Sequence, residues 1–118
     1  MATLEKAIEN QIMQWLKLKG YFAIAVNGGK LKIGSRWFIA TSINGFPDIM
    51  VIYKGRFIGL EVKAPEHINP KTGKKVYKGK QSDNQIEFER LCLLAGGIYK
   101  TVYSLEEVIQ FFDMFDKE

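Results

Sequence analysis

A chain of 118 residues, 47% hydrophobic and 13% aromatic, fits a single globular domain with one core. Its 17 Lys and Arg against 13 Asp and Glu leave a formal charge of +4, an excess that suits a polyanionic partner without specifying one. Cys92 is the only cysteine, which excludes an internal disulfide; no apolar run approaches the roughly 18 residues of a membrane span, and the N-terminus lacks a signal-peptide layout, so a cytosolic protein with no membrane partner is expected.

From Thr3 to Lys19, the residues Leu4, Ile8, Ile12, Trp15, Leu16 and Leu18 recur largely at helical spacing. Thr3 is a suitable N-cap and Gly20 a suitable stop for this first helix. Residues 21–27, YFAIAVN, read as a strand leading into GGKLKIGSR, where glycines and the cations Lys30, Lys32 and Arg36 predict a basic loop or hairpin tip. A short strand is expected around WFIATS. DIMVIY and RFIGLEVK read as two further strands, joined by Lys54 and Gly55 in the short polar connection that hairpins use. APEHINPKTGKKVYKGKQ then loses periodicity and gains Pro, Gly and the lysines Lys71, Lys74, Lys75, Lys78 and Lys80; a long surface loop is expected.

Ser82 next caps a helix carrying Ile86, Phe88, Leu91, Leu94 and Ala95, which Gly96 and Gly97 end. Within it Cys92 reads as a small core residue rather than a nucleophile. IYKTVY is a strand, and Ser104 with Glu107 opens a last helix at capping-box spacing. The expected fold is α/β: a mixed central sheet flanked by helices, in the order α, β, an optional β, β, β, α, β, α, forming one domain over residues 1–118.

Charges interrupt the strand pair FPDIMVIYKGRFIGLEVKAPE. With Lys54 and Gly55 central in a tight turn, Tyr53 faces Arg56, and the register carries back through Ile49 and Leu60 to oppose Asp48 to Glu61. Alternation then sets Asp48, Glu61 and Lys63 on one face, with Ile49, Val51, Ile58, Leu60 and Val62 on the other. Two carboxylates about 5 Å apart repel by about 3 kcal/mol at an effective dielectric near 20. A divalent cation would relieve that repulsion, whereas one lysine cannot neutralise both groups. The alternative is a solvated charge network at the strand ends, and a bulge or three-residue turn would slip the register and separate the pair.

Hydrolysis of a phosphodiester needs such a cation to offset phosphate charge and activate a water, together with a group that positions the water. Asp48, Glu61 and the Val62 carbonyl can supply oxygen ligands, and Lys63 can orient the water or stabilise developing charge. The residues PD at 47–48 and EVK at 61–63 resemble the PD-(D/E)XK nuclease signature. The fuller strings GFPDIMVIYKGRFIGLEVKAPE and QIEFERLCLLAGGIYKTVYSLEEV resemble the VRR-NUC family of that superfamily, in particular its small stand-alone phage-type members.

That resemblance implies a restriction-endonuclease-like core and a Mg2+-dependent DNA endonuclease for which Mn2+ substitutes. It further implies cleavage of branched DNA such as Holliday junctions by a homodimer in a phage or bacterial host cytosol. Family members carry a first-helix glutamate near the metal, for which Glu9 is the first choice and Glu5, one turn earlier on the same face, the second. They also carry a glutamine at the start of the helix after the motif, matching Gln85, although Ser82 and Gln85 also form a capping box.

Phosphate contacts are expected from Lys30, Lys32 and Arg36 on one side and from Lys71, Lys74, Lys75, Lys78 and Lys80 on the other, with Trp37 and Tyr77 as stacking candidates. His67, the sole histidine, reads as a loop residue, and the absence of a GxxxxGK[ST] loop argues against a nucleotide cofactor. Nicking, flap or restriction-type nucleases of the same superfamily, and a non-catalytic DNA-binding module, are the alternatives.

Overall fold

The computed structural model describes residues 3–26, 30–39 and 45–117. Helices Leu4–Leu18 (α1), Asp83–Leu94 (α2) and Leu105–Asp116 (α3) accompany strands Phe22–Ala25 (β1), Lys30–Ile33 (β2), Arg36–Ile39 (β3), Ile49–Tyr53 (β4), Arg56–Val62 (β5), His67–Ile68 (β6), Lys75–Val76 (β7) and Ile98–Val102 (β8). Four strands form a mixed sheet in the order β1-β4-β5-β8; β5 runs antiparallel to β4 and parallel to β8. β2 pairs with β3, and β6 with β7, as separate antiparallel hairpins. No helix among the described residues is long and apolar enough to cross a membrane.

Local chemistry sets the boundaries. The Thr3 hydroxyl accepts the Lys6 N–H at 3.1 Å to cap α1, and Gly20 leaves the helix with φ 76°. Lys54 and Gly55 have φ 51° and 80°, the paired left-handed conformation of a type I′ turn. They give the register expected from sequence, from Tyr53 opposite Arg56 to Ile49 opposite Leu60.

One sheet face makes the core. Ile49, Val51, Ile58, Leu60 and Val62 bury against Ile8, Ile12 and Leu16 of α1 and against Val108 and Phe112 of α3. Each fully buried aliphatic or aromatic side chain contributes about 1.5–3 kcal/mol of burial. The opposite face, carrying Phe57, Gly59 and Glu61, lies under α2: Phe46 meets Phe57 and Phe88 ring to ring, and Phe88 meets Tyr99.

Two elements depart from the sequence reading. α2 turns Gln85, Phe88, Glu89 and Cys92 inward, while Ile86, Leu91, Leu93 and Leu94 are exposed. Its inward stripe is half polar because the face it covers holds Glu61. The expected loop over 64–81 contains the β6–β7 hairpin, because Asn69 organises a turn. Its side chain accepts the N–H groups of Lys71 and Thr72 at 2.8 and 3.3 Å, and its own N–H donates to the Lys74 carbonyl at 2.8 Å. The strand expected around WFIATS appears as β3, Arg36–Ile39, with residues 40–44 outside the described part of the structure.

Candidate active site and metal centre

The loop before β4 is locked by close backbone contacts. Gly45 has φ 85°, and a Cβ on it would stand 2.3 Å from the Asn84 carbonyl oxygen, so this loop rests directly on the first turn of α2. Pro47 is fully buried, and a Cβ on Gly59 would stand 2.7 Å from its Cγ. Glycine at both positions brings three segments together: the Asp48 loop, β5 and the start of α2.

Asp48 therefore reaches β5 at a fixed height. The Cα pairing of β4 with β5 stops at Ile49 and Leu60, one residue short of the opposition expected from sequence. Beyond it the Asp48 side chain takes over as acceptor: Oδ2 receives the Val62 N–H at 2.8 Å, while the Asp48 main-chain carbonyl receives the Val26 N–H at 2.7 Å. The Asp48 and Glu61 carboxyl groups remain within hydrogen-bonding reach of each other.

Glu61 is 2% exposed. Its Oε1 accepts Gln85 Nε2–H at 2.7 Å and stands 3.7 Å from the Lys63 ammonium, and its Oε2 accepts the Tyr99 hydroxyl at 3.3 Å. Burial, followed by the Asp48 charge and their mutual hydrogen bond, pushes its pKa up to about 8, against the opposing pull of Lys63 and Tyr99. Gln85 serves two ends: its Oε1 accepts the Ser82 N–H at 2.8 Å in a complete capping box while its Nε2 holds Glu61.

The first helix contributes two carboxylates in different settings. Glu5, half-buried, lies in the field of Lys63, Asp48 and Glu9; burial raises its pKa, with Asp48 and Glu9 adding to the rise and Lys63 and the Ala64 main chain opposing it. Glu9 is buried at 6% exposure and paired with Lys6 at 2.7 Å. Lys63 is held by its own main chain, whose N–H donates to the Val102 carbonyl at 3.0 Å.

Sequence reasoning did not single out Tyr99, Gln81, Gly45 or Gly59. Tyr99 lies beside Gly59 in the parallel β5–β8 pairing, which sets its ring on the Glu61 face. Burial, and secondarily the Glu61 charge, raises its hydroxyl pKa, so it remains a donor; Gln81, whose Nε2 donates to Glu89 at 3.2 Å, lies nearby and opposes the rise. Alternation along IYKTVY would have assigned Tyr99 to this face once β8 was known to neighbour β5.

No group of three or more His, Cys, Asp or Glu that could hold an ion occurs among the described residues. Asp48 and Glu61 are two carboxyl groups within reach of each other, so a cation held by them would complete its shell with water, as Mg2+ does.

Of the expected phosphate contacts, Arg36, Lys71, Lys74 and Lys80 are exposed. Lys75 pairs with Glu66 at 2.7 Å, and the Lys78 ammonium stands 4.2 Å from the Tyr103 ring centroid. The side chains of Lys30, Lys32 and Trp37 lie outside the described part of the structure. His67 Nδ1 donates to the Pro65 carbonyl at 2.8 Å, a structural contact. Cys92 is half-buried and its thiol pKa is raised by burial, opposite to what a nucleophile needs. The chain matches no protein-family model, no curated protein and no solved structure.

Proposed function

We propose that the chain is a divalent-metal-dependent phosphodiester hydrolase built on a restriction-endonuclease-like core. The observation that carries the proposal is a buried Glu61 beside Asp48, with Lys63 at 3.7 Å and Gln85 at 2.7 Å on the same carboxylate oxygen. Within that class, its particular activity is that of a VRR-NUC-type endonuclease cutting branched DNA such as Holliday junctions.

Asp48, Glu61 and the Val62 carbonyl would hold Mg2+, with Mn2+ as substitute. When bound, the cation offsets phosphate charge and makes a water acidic enough to attack phosphorus. Lys63 keeps its ammonium at the edge of the carboxylate pair, where it orients that water or meets the charge developing on the phosphate oxygens. Gln85 and Tyr99 each donate to one oxygen of Glu61 and so hold the carboxyl group in place. Glu5, rather than Glu9, is the first-helix carboxylate carried forward, because its surroundings include both Asp48 and Lys63. A homodimer presenting two sites suits a junction, and the exposed Ile86, Leu91, Leu93 and Leu94 of α2 offer apolar surface for one.

Incubation with four-way junction, flap, duplex and single-stranded DNA in Mg2+ or Mn2+ tests the proposal. Wild type should cut at least the junction, and folded Asp48→Asn and Lys63→Ala proteins should not. A folded wild type that cuts no DNA in either ion overturns it.

A further inference from the structure

The β6–β7 hairpin has no part in the chemistry above, and its register divides its side chains between two faces. His67 and Val76 are paired and half-buried, and the following Lys78 lies on the Tyr103 ring, whose hydroxyl donates to the Gly79 carbonyl at 3.0 Å. Ile68 and Lys75 are the other pair. Ile68 is 61% exposed and Tyr77 is 74% exposed, and the Lys75 ammonium stands 5.4 Å from the Tyr77 ring centroid. An aromatic ring and an aliphatic chain thus face solvent with a cation at hand, forgoing the burial that either would gain in a core.

The segment is tied to the active site through Gly79. Its N–H donates to the Ala64 carbonyl at 3.0 Å, and a Cβ on Gly79 would stand 3.2 Å from Lys63 Cβ. Lys75, beside Ile68 on this face, pairs with Glu66, and Lys71, Lys74 and Lys80 of the same segment are exposed.

We propose that the outer face of this hairpin binds unpaired nucleotides, with Tyr77 stacking on a nucleobase while Lys71 and Lys74 meet the flanking phosphates. The inference rests on the nuclease proposal and adds its source of substrate selection. Stacking on an exposed ring requires a base that has left the duplex, and every base offers a π-face, so the contact selects structure rather than sequence. The charge complements a phosphate backbone.

The test is binding by the full chain in Ca2+, used here to hold the complex without turnover, to a four-way junction, a single strand and a blunt duplex of equal length. The junction and the single strand carry 2-aminopurine at unpaired or branch positions. Tyr77→Ala should weaken junction and single-strand binding by about 5- to 100-fold and abolish the 2-aminopurine quenching, while duplex affinity changes by less than about twofold. Tyr77→Phe should behave as wild type.

Tyr77 is exposed, so an unchanged melting curve will certify the fold of each variant. Unchanged junction binding by Tyr77→Ala, equal losses on duplex and junction, or tighter binding of the wild type to polyglutamate than to single strand overturns the inference. Metal-dependent cleavage by the same preparation would leave the nuclease proposal standing in each of those cases. Failure of the wild type to bind or cut any DNA overturns both.

Discussion

A carboxylate as buried as Glu61 needs a partner for each oxygen, and Gln85 and Tyr99 supply them. The cost of burial beside Asp48 is expressed as proton affinity. The pKa of Glu61 rises from the ordinary 4.5 to about 8, so the folded chain binds this proton more tightly than the unfolded chain. Its stabilising contribution is complete below about pH 4.5 and is lost as pH climbs through about 8. Without divalent metal, the melting midpoint should therefore fall across that window, and Glu61→Gln should flatten the fall and leave the metal-free protein as stable or more so. A steep loss of stability in Glu61→Gln at pH 7 would contradict this. Tyr99→Phe keeps the ring against Phe88 and removes the donor; it should cost about 1 kcal/mol by denaturant melt and raise the Mg2+ concentration needed for half-maximal cleavage. The convergence of Asp48, Glu61 and Lys63 was legible in the sequence because strand alternation and a Lys54–Gly55 turn are local rules. Tyr99 was not, because its place depends on which strand lies beside β5. The choice between Glu5 and Glu9 was equally closed to sequence, since helical phase puts both on one face and only packing fixes which turn reaches Lys63.

Among the elements, the loop–helix junction at Gly45 is the tightest. Gly45→Ala combines a left-handed φ of 85° with a Cβ 2.3 Å from the Asn84 carbonyl oxygen, and should destabilise the protein by about 2–4 kcal/mol. Gly73→Ala is the control: its φ is 69° but its surroundings are open, and it should cost about 1 kcal/mol. Equal losses in urea melts would show that backbone strain alone, and not contact with α2, makes Gly45 necessary. Such contacts cannot be read from sequence, where Gly45 is one turn glycine among several. Helix caps and the type I′ turn were readable because each is satisfied within a few residues. The inward stripe of α2 was readable in part: Gln85, Phe88 and Cys92 lie on it as expected, but Glu89 joins them while Ile86, Leu91 and Leu94, expected with Phe88, are exposed.

Across the whole molecule, the sheet separates an aliphatic face from a polar one. One face closes the aliphatic core with α1 and α3, while the other carries Glu61 and Tyr99 beneath α2. Core packing thus anchors β5 from one side while its opposite face keeps ionisable groups close together. The architecture of a mixed sheet between helices was legible from the order of periodic segments; the separate β6–β7 hairpin was hidden by the weak hydrophobicity of its two-residue strands. Calorimetric titration of the metal-free protein with Mn2+ near pH 7, repeated in buffers of different ionisation enthalpy, tests the central claim most directly. Binding should release close to one proton, because a cation held by Asp48 and Glu61 would displace the proton that burial favours on Glu61, and Asp48→Asn should abolish that binding. Absence of Mn2+ binding by the folded wild type, or binding that survives Asp48→Asn unchanged, would contradict the account.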